Sequence, residues 1–106
     1  MATSDEIASV LRSGIAARRA GHLDEALRRM NGAAAMCGPD QDLDRAHVLR
    51  ELGELARDSR DLNAAQSHYE EAVVLLRTSQ DRLKFAHTIR HLGLTQKQLH
   101  RLGEIV

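Results

Sequence analysis

Two histidines stand where chemistry is easiest to imagine. His87 and His91 lie four residues apart, and a helix would set both imidazoles on one face at the separation of two metal ligands. A metal site needs a third and a fourth ligand, and no carboxylate or cysteine that would complete the set is evident, so neither a metal nor any other cofactor is expected. The single cysteine, Cys37, closes an Ala-Ala-Met-Cys-Gly run at a helix end. A thiol acts as a nucleophile only beside a base and an orienting group, and a small buried thiol is the expected state here. Glycine-rich phosphate loops, serine-centred elbows and pocketed carboxylate pairs are missing from the sequence. The chain is not expected to be an enzyme. His47 and His87 recur at one position of a repeated pattern, which points to a structural or surface role, with partial protonation expected near about pH 6.

The elements that position these residues are helices. The composition is rich in Ala, Leu, Arg and Glu and holds only Tyr69 and Phe85 as aromatics, with no β-type alternation, so the class is all-α. Ile7, Val10, Leu11 and Ile15 share the face of a first helix behind a capping box of Thr3 and Glu6. After the Gly21 turn, Leu23, Ala26, Leu27 and Met30 begin a second helix, closed by Gly38 and Pro39, and Asp40 or Asp42 can cap the third. Leu49, Leu52, Leu55 and Ala56 mark the third helix; Ala65, Tyr69, Ala72, Val73 and Leu76 mark the fourth, starting near Asp61. A fifth follows with Phe85, Ala86, Ile89 and Leu92, and the tail from about Leu99 to Val106 reads as the start of a sixth.

The pattern repeats. Ala46-His47-Val48-Leu49-Arg50-Glu51-Leu52-Gly53 returns as Ala86-His87-Thr88-Ile89-Arg90-His91-Leu92-Gly93, a step of 40, and Gly14 precedes Gly53 by 39. Ala26 and Ala65 each follow their glycine by twelve residues, with Met30 and Tyr69 just beyond. A helical glycine costs about 1 kcal/mol against alanine and is tolerable where a partner helix approaches closely.

These residues resemble the tetratricopeptide repeat family, whose signature is a Leu-Gly pair in the first helix and an alanine, an aromatic and an alanine in the second. Leu52, Gly53, Ala65, Tyr69 and Ala72 carry it in the second repeat; Gly14, Ala26 and Ala33 match it in the first, with Met30 in the aromatic slot, and Leu92, Gly93 and Leu102 in the third, with Ile105 where alanine is expected. The steps of 39 and 40 exceed the usual period of about 34, like the longer variant typical of kinesin light chain. The resemblance implies one domain over 1–106, a right-handed superhelical array of antiparallel helix pairs with repeats at about 5–38, 42–79 and 81–106, the last incomplete.

The resemblance also implies a concave groove lined by the first helix of each repeat. Arg12, Ile15, Arg18 and Arg19 would come from the first repeat, and His47, Arg50, Glu51, Glu54, Arg57 and Asp58 from the second. His87, Arg90, His91, Leu94, Lys97 and Gln98 would come from the third. Such a groove is mainly basic, with the acids mostly elsewhere, and the expected partner is a protein or peptide segment, acidic or ending in a carboxylate. The asparagines of the chaperone-tail clamp are absent. The other face of the resemblance is assembly: Leu99, Leu102, Ile105 and Val106 make an apolar edge that a second copy would complete, giving a homo-dimer or larger species, by helix exchange or otherwise.

Other classes are disfavoured. Fifteen cations balance fifteen carboxylates, against a bulk nucleic-acid binder. Leu94-Thr95-Gln96-Lys97-Gln98-Leu99 resembles the opening of a helix-turn-helix reader, but no recognition helix follows. No apolar run approaches the roughly 20 residues of a membrane span, and a lone thiol without a secretory signal suggests a reducing, cytoplasmic setting.

Overall fold

A computed structural model describes residues 1–103, which form five α-helices: α1 (Ser4–Arg19), α2 (Leu23–Met36), α3 (Asp42–Asp58), α4 (Leu62–Leu76) and α5 (Arg82–Arg101). Each helix packs on its sequence neighbour, and α1 also reaches α3. The shortest dimension is 19 Å, two helix diameters of about 10 Å, so the helices lie in no more than two layers. No helix among the described residues is long and apolar enough to cross a membrane.

The helix starts follow local chemistry. The Thr3 hydroxyl accepts from the Glu6 amide while the Glu6 carboxylate accepts from the Thr3 amide, the expected capping box. Asp61 and Asp81 cap α4 and α5 by accepting from the Ala64 and Lys84 amides. At α3 the expectation fails. Gln41 occupies the cap without a side-chain bond to the helix, and Asp42 is already helical. The Gln41 amide instead ties the chain together, accepting from the Gly38 amide at 2.7 Å and donating to the Ala2 carbonyl at 2.8 Å.

Ile7, Leu11, Ala26, Met30, Ala33, Val48, Leu49, Leu52, Leu55 and Ala72 form one buried cluster across α1 to α4. Cys37 closes it as a buried free thiol whose pKa burial pushes up. Ala56, Ala65 and Tyr69 form a second cluster, joined by Leu92 of α5.

The fifth helix departs from expectation on two counts. It does not stop before Leu99: it runs on through Arg101, and Leu99 is fully buried on its inner face, so no sixth helix begins there. The reason lies in the turns. Gly21 and Arg60 end the earlier first helices with positive φ, whereas the residue a repeat later, His100, remains helical and the next positive φ is at Gly103. Secondly, Ala86 and Ile89 face outward, Ile89 being 44% exposed. The inner face carries Thr88, Thr95 and Leu99 instead, and the two threonines bury their hydroxyls by donating to the Lys84 and His91 carbonyls at 2.7 and 2.9 Å. Leu27 of α2, also expected in the core, is 46% exposed.

Candidate functional site

Polar side chains of α1, α3 and α5 meet along one face. Arg18 of α1 reaches two carboxylates of α3, Asp58 at 3.3 Å and Glu51 at 3.9 Å. His47 stands 3.9 Å from Glu51 within α3. From α5, His91 lies 3.5 Å from Glu54 and 3.4 Å from the Arg57 guanidinium. These contacts bring together Arg18, His47, Glu51, Glu54, Arg57, Asp58 and His91 of the expected set. Ile15 is half-buried against the core, while Arg12 and Arg19 are exposed and enter none of the ion pairs among the described residues. Arg50 is half-buried, and its Nε has no hydrogen-bond partner among the described residues.

Glu51, Glu54 and Asp58 lie within this face and answer its cations, because a guanidinium brought beside a helix is best satisfied by carboxylates one repeat on. The excess is still basic. Burial lifts the Glu51 carboxyl above its ordinary value, against the opposing pull of Arg18. Burial likewise lowers the His47 and His91 imidazoles below the ordinary histidine value, the former helped by Lys84 and Arg50 and the latter opposed by Glu54. Their protonation thus falls at lower pH than expected for free histidines.

The charge pattern changes along the face. Arg18, Arg57 and Lys97 stand at steps of 39 and 40, one cation per repeat. Arg18 is neutralised by Glu51 and Asp58. Forty residues on from those acids stand His91 and Gln98, so Arg57 meets the His91 imidazole instead of a carboxylate, and the Gln98 amide lines the same cleft. A shallow cleft follows, lined by Arg57, Leu94, Lys97, Gln98 and Arg101. It continues on one side to His87, Arg90 and His91, and on the other to Glu54, Asp58 and Arg60. Gln98 adds a buried Oε1 with no partner among the described residues, and Leu94 is 42% exposed beside it. Arg101 is the cleft residue that sequence reasoning missed, since it was assigned to a sixth helix. The change from acids to neutral groups was also missed, although the 40-residue register displays it.

Tyr69 supports this cleft from beneath. Its ring stacks on His91 with centroids 5.8 Å apart and planes 15° off parallel, and it covers Gly53. Burial, then the charge of Glu54, pushes its hydroxyl up to about 12, so it stays neutral. His87 is exposed and lines the cleft with His91, whose pKa its charge helps to lower.

The expected self-association edge is only partly available. Leu99 is buried in its own chain and offers nothing to a second copy; Leu102 is 64% exposed; Ile105 and Val106 lie outside the described residues. No family model, curated protein or solved structure matches the chain.

Proposed function

We propose that the chain is a tetratricopeptide-like interaction module, a superhelical array of antiparallel helix pairs that holds an acidic peptide segment along α1, α3 and α5. The observation that carries this reading is the cleft of Arg57, Lys97 and Arg101 around the exposed Leu94. None of those three cations enters an ion pair among the described residues. Charged donors without carboxylate partners favour an anionic ligand, Leu94 favours an apolar side chain next to it, and the Gln98 Oε1 can accept from a ligand amide. A partner that offers carboxylates two or three residues from a leucine meets all three demands.

The test is titration of an acetylated, amidated peptide alternating Glu-Glu with Leu, followed by fluorescence anisotropy. Arg57→Glu or Lys97→Glu should each weaken binding about 10-fold or more, since each removes one charge-assisted contact and introduces a repulsion. Arg12→Glu, outside the cleft, should change it far less. Equal losses from all three variants would mean diffuse charge attraction and would sink the cleft as a site.

A further inference from the structure

The three repeat glycines have different surroundings. A Cβ built on Gly14 would lie 2.9 Å from the Met30 side chain, and one on Gly53 would lie 2.6 Å from the Tyr69 ring. Each glycine is the place where a following helix presses one large residue onto a first helix, and the large residue comes sixteen positions later in both repeats. A Cβ on Gly93 would meet nothing within 4 Å among the described residues. Around it, Ala86 and Ile89 are exposed along the same stripe of α5, and Arg90, Lys97 and His100 border it.

From this contrast we infer that the outer face of α5 at Gly93 is a docking site for an acidic amphipathic helix of another protein, which sets one large apolar residue over Gly93. The shape follows from the two occupied glycines. The charge follows from α5 itself, which carries Arg82, Lys84, Arg90, Lys97 and Arg101 and no Asp or Glu. Arg90 and Lys97 enter no ion pair among the described residues. The chain's own α4 shows the complementary type: it covers Gly53 with Tyr69, carries Glu70 and Glu71, and has no Lys or Arg. A second copy of this chain is a poor occupant. Its α5 would set five cations against five, and its α2 and α4 already spend Met30 and Tyr69 on Gly14 and Gly53. His91 and Gln98 lie on the other side of α5 from this face, but Lys97 and Arg90 border both it and the cleft, so the two sites are told apart at Gly93 and Arg57, which belong to one each.

The probe is a labelled synthetic peptide of the α4 sequence from Asp61 to Leu76, titrated by anisotropy into the full chain. Gly93→Leu fills the face without disturbing the fold, since nothing among the described residues stands within 4 Å of the new Cβ; circular dichroism checks this. Binding should weaken by about 10-fold or more with Gly93→Leu in the protein, and by a similar factor with Tyr69→Ala in the peptide. It should fall on raising salt from about 50 to about 500 mM. Arg57→Glu in the protein should leave it within about 2-fold. Equal binding by the Gly93→Leu protein overturns the inference, as does loss of binding in Arg57→Glu, which would place the peptide in the cleft. So does no binding at all, or a concentration-dependent dimer of the free chain that Gly93→Leu abolishes, which would make a second copy the occupant.

Discussion

The same substitution should have opposite signs at equivalent glycines, because glycine's cost depends on what stands over it. Gly93 has a helical backbone and no neighbour within 4 Å of a built Cβ among the described residues, so Gly93→Ala should stabilise the chain by about 1 kcal/mol through helix propensity alone. At Gly14 the obstacle is the Met30 side chain at 2.9 Å, with the Met30 amide nitrogen at 3.4 Å behind it. Methionine is flexible and can give way, so Gly14→Ala should cost little or come near neutral. At Gly53 the obstacle is the Tyr69 ring, with three ring carbons between 2.6 and 2.9 Å. That ring is fully buried and stacked on His91, so it cannot swing aside. Gly53→Ala should destabilise by roughly 2 kcal/mol, the usual penalty of overpacking a core. Urea denaturation of the three variants checks the order; a Gly53→Ala protein as stable as Gly93→Ala would mean that Tyr69 does not press on α3.

Helix boundaries depend on a few capping and turn residues, and these set how far the sequence could be read. The capping box at Thr3, the Gly21 turn and the helix start at Asp61 were all readable, because each is a local bond between neighbours in sequence, whereas the Asp81 cap, equally local, went unread. The start of α3 was not, because Gln41 is held by a distant carbonyl, that of Ala2, and distant partners leave no mark on local spacing. The end of α5 was misread for a related reason: Leu102 repeats the spacing of Leu23 and Leu62, but the turn residue that should precede it is absent, and only Gly103 supplies one. The face of Arg18, Arg57 and Lys97 was visible as a repeat of cations, whereas their partners were invisible until α1, α3 and α5 were placed side by side. The turns give a direct check. Arg60 holds a φ of 65°, where its repeat counterpart is Gly21 at 82°. Arg60→Gly should therefore stabilise by about 1 kcal/mol by relieving the left-handed backbone. Asp61→Ala and Asp81→Ala should each cost about 1 kcal/mol as lost caps. Asp42→Ala should cost only a few tenths, roughly what a first-turn carboxylate contributes through the helix dipole. Thermal melts separate these outcomes, since about 1 kcal/mol moves a domain of this size by about 5 °C. An Asp42→Ala loss as large as that of Asp61→Ala would restore Asp42 as a cap.

Charge is unevenly distributed over the molecule, and pH acts on that distribution. α5 has five cations and no carboxylate, and with 15 of each sign in the whole chain, the remaining residues are five carboxylates in excess. His91 sits where the two regions meet, between Glu54 and Arg57. Burial is the first cause of the lowered pKa values of His47, His68 and His91, each set below the ordinary 6.5. A base whose folded pKa is lowered binds fewer protons in the folded chain than in the unfolded one. Stability should therefore begin to fall as pH drops below about 6.5, and keep falling until the folded histidines take up protons themselves. Glu51 opposes this only nearer its ordinary 4.5, because its raised folded pKa makes the folded chain the better proton acceptor there. Three histidines against one later carboxylate give a melting temperature that declines from about pH 6.5 to about pH 5.5. His68→Gln should flatten part of that slope, since the His68 Nδ1 is buried without a hydrogen-bond partner among the described residues and burial outweighs the pull of Glu71 and Asp61 on its proton. Ligand binding should move the other way. A protonated His91 adds a cation beside Arg57, so an acidic peptide should bind the cleft more tightly in the same range where the free chain loses stability. Melting curves that rise toward pH 5.5 would mean the histidines are better accommodated charged than neutral, and would remove the burial argument on which both slopes rest.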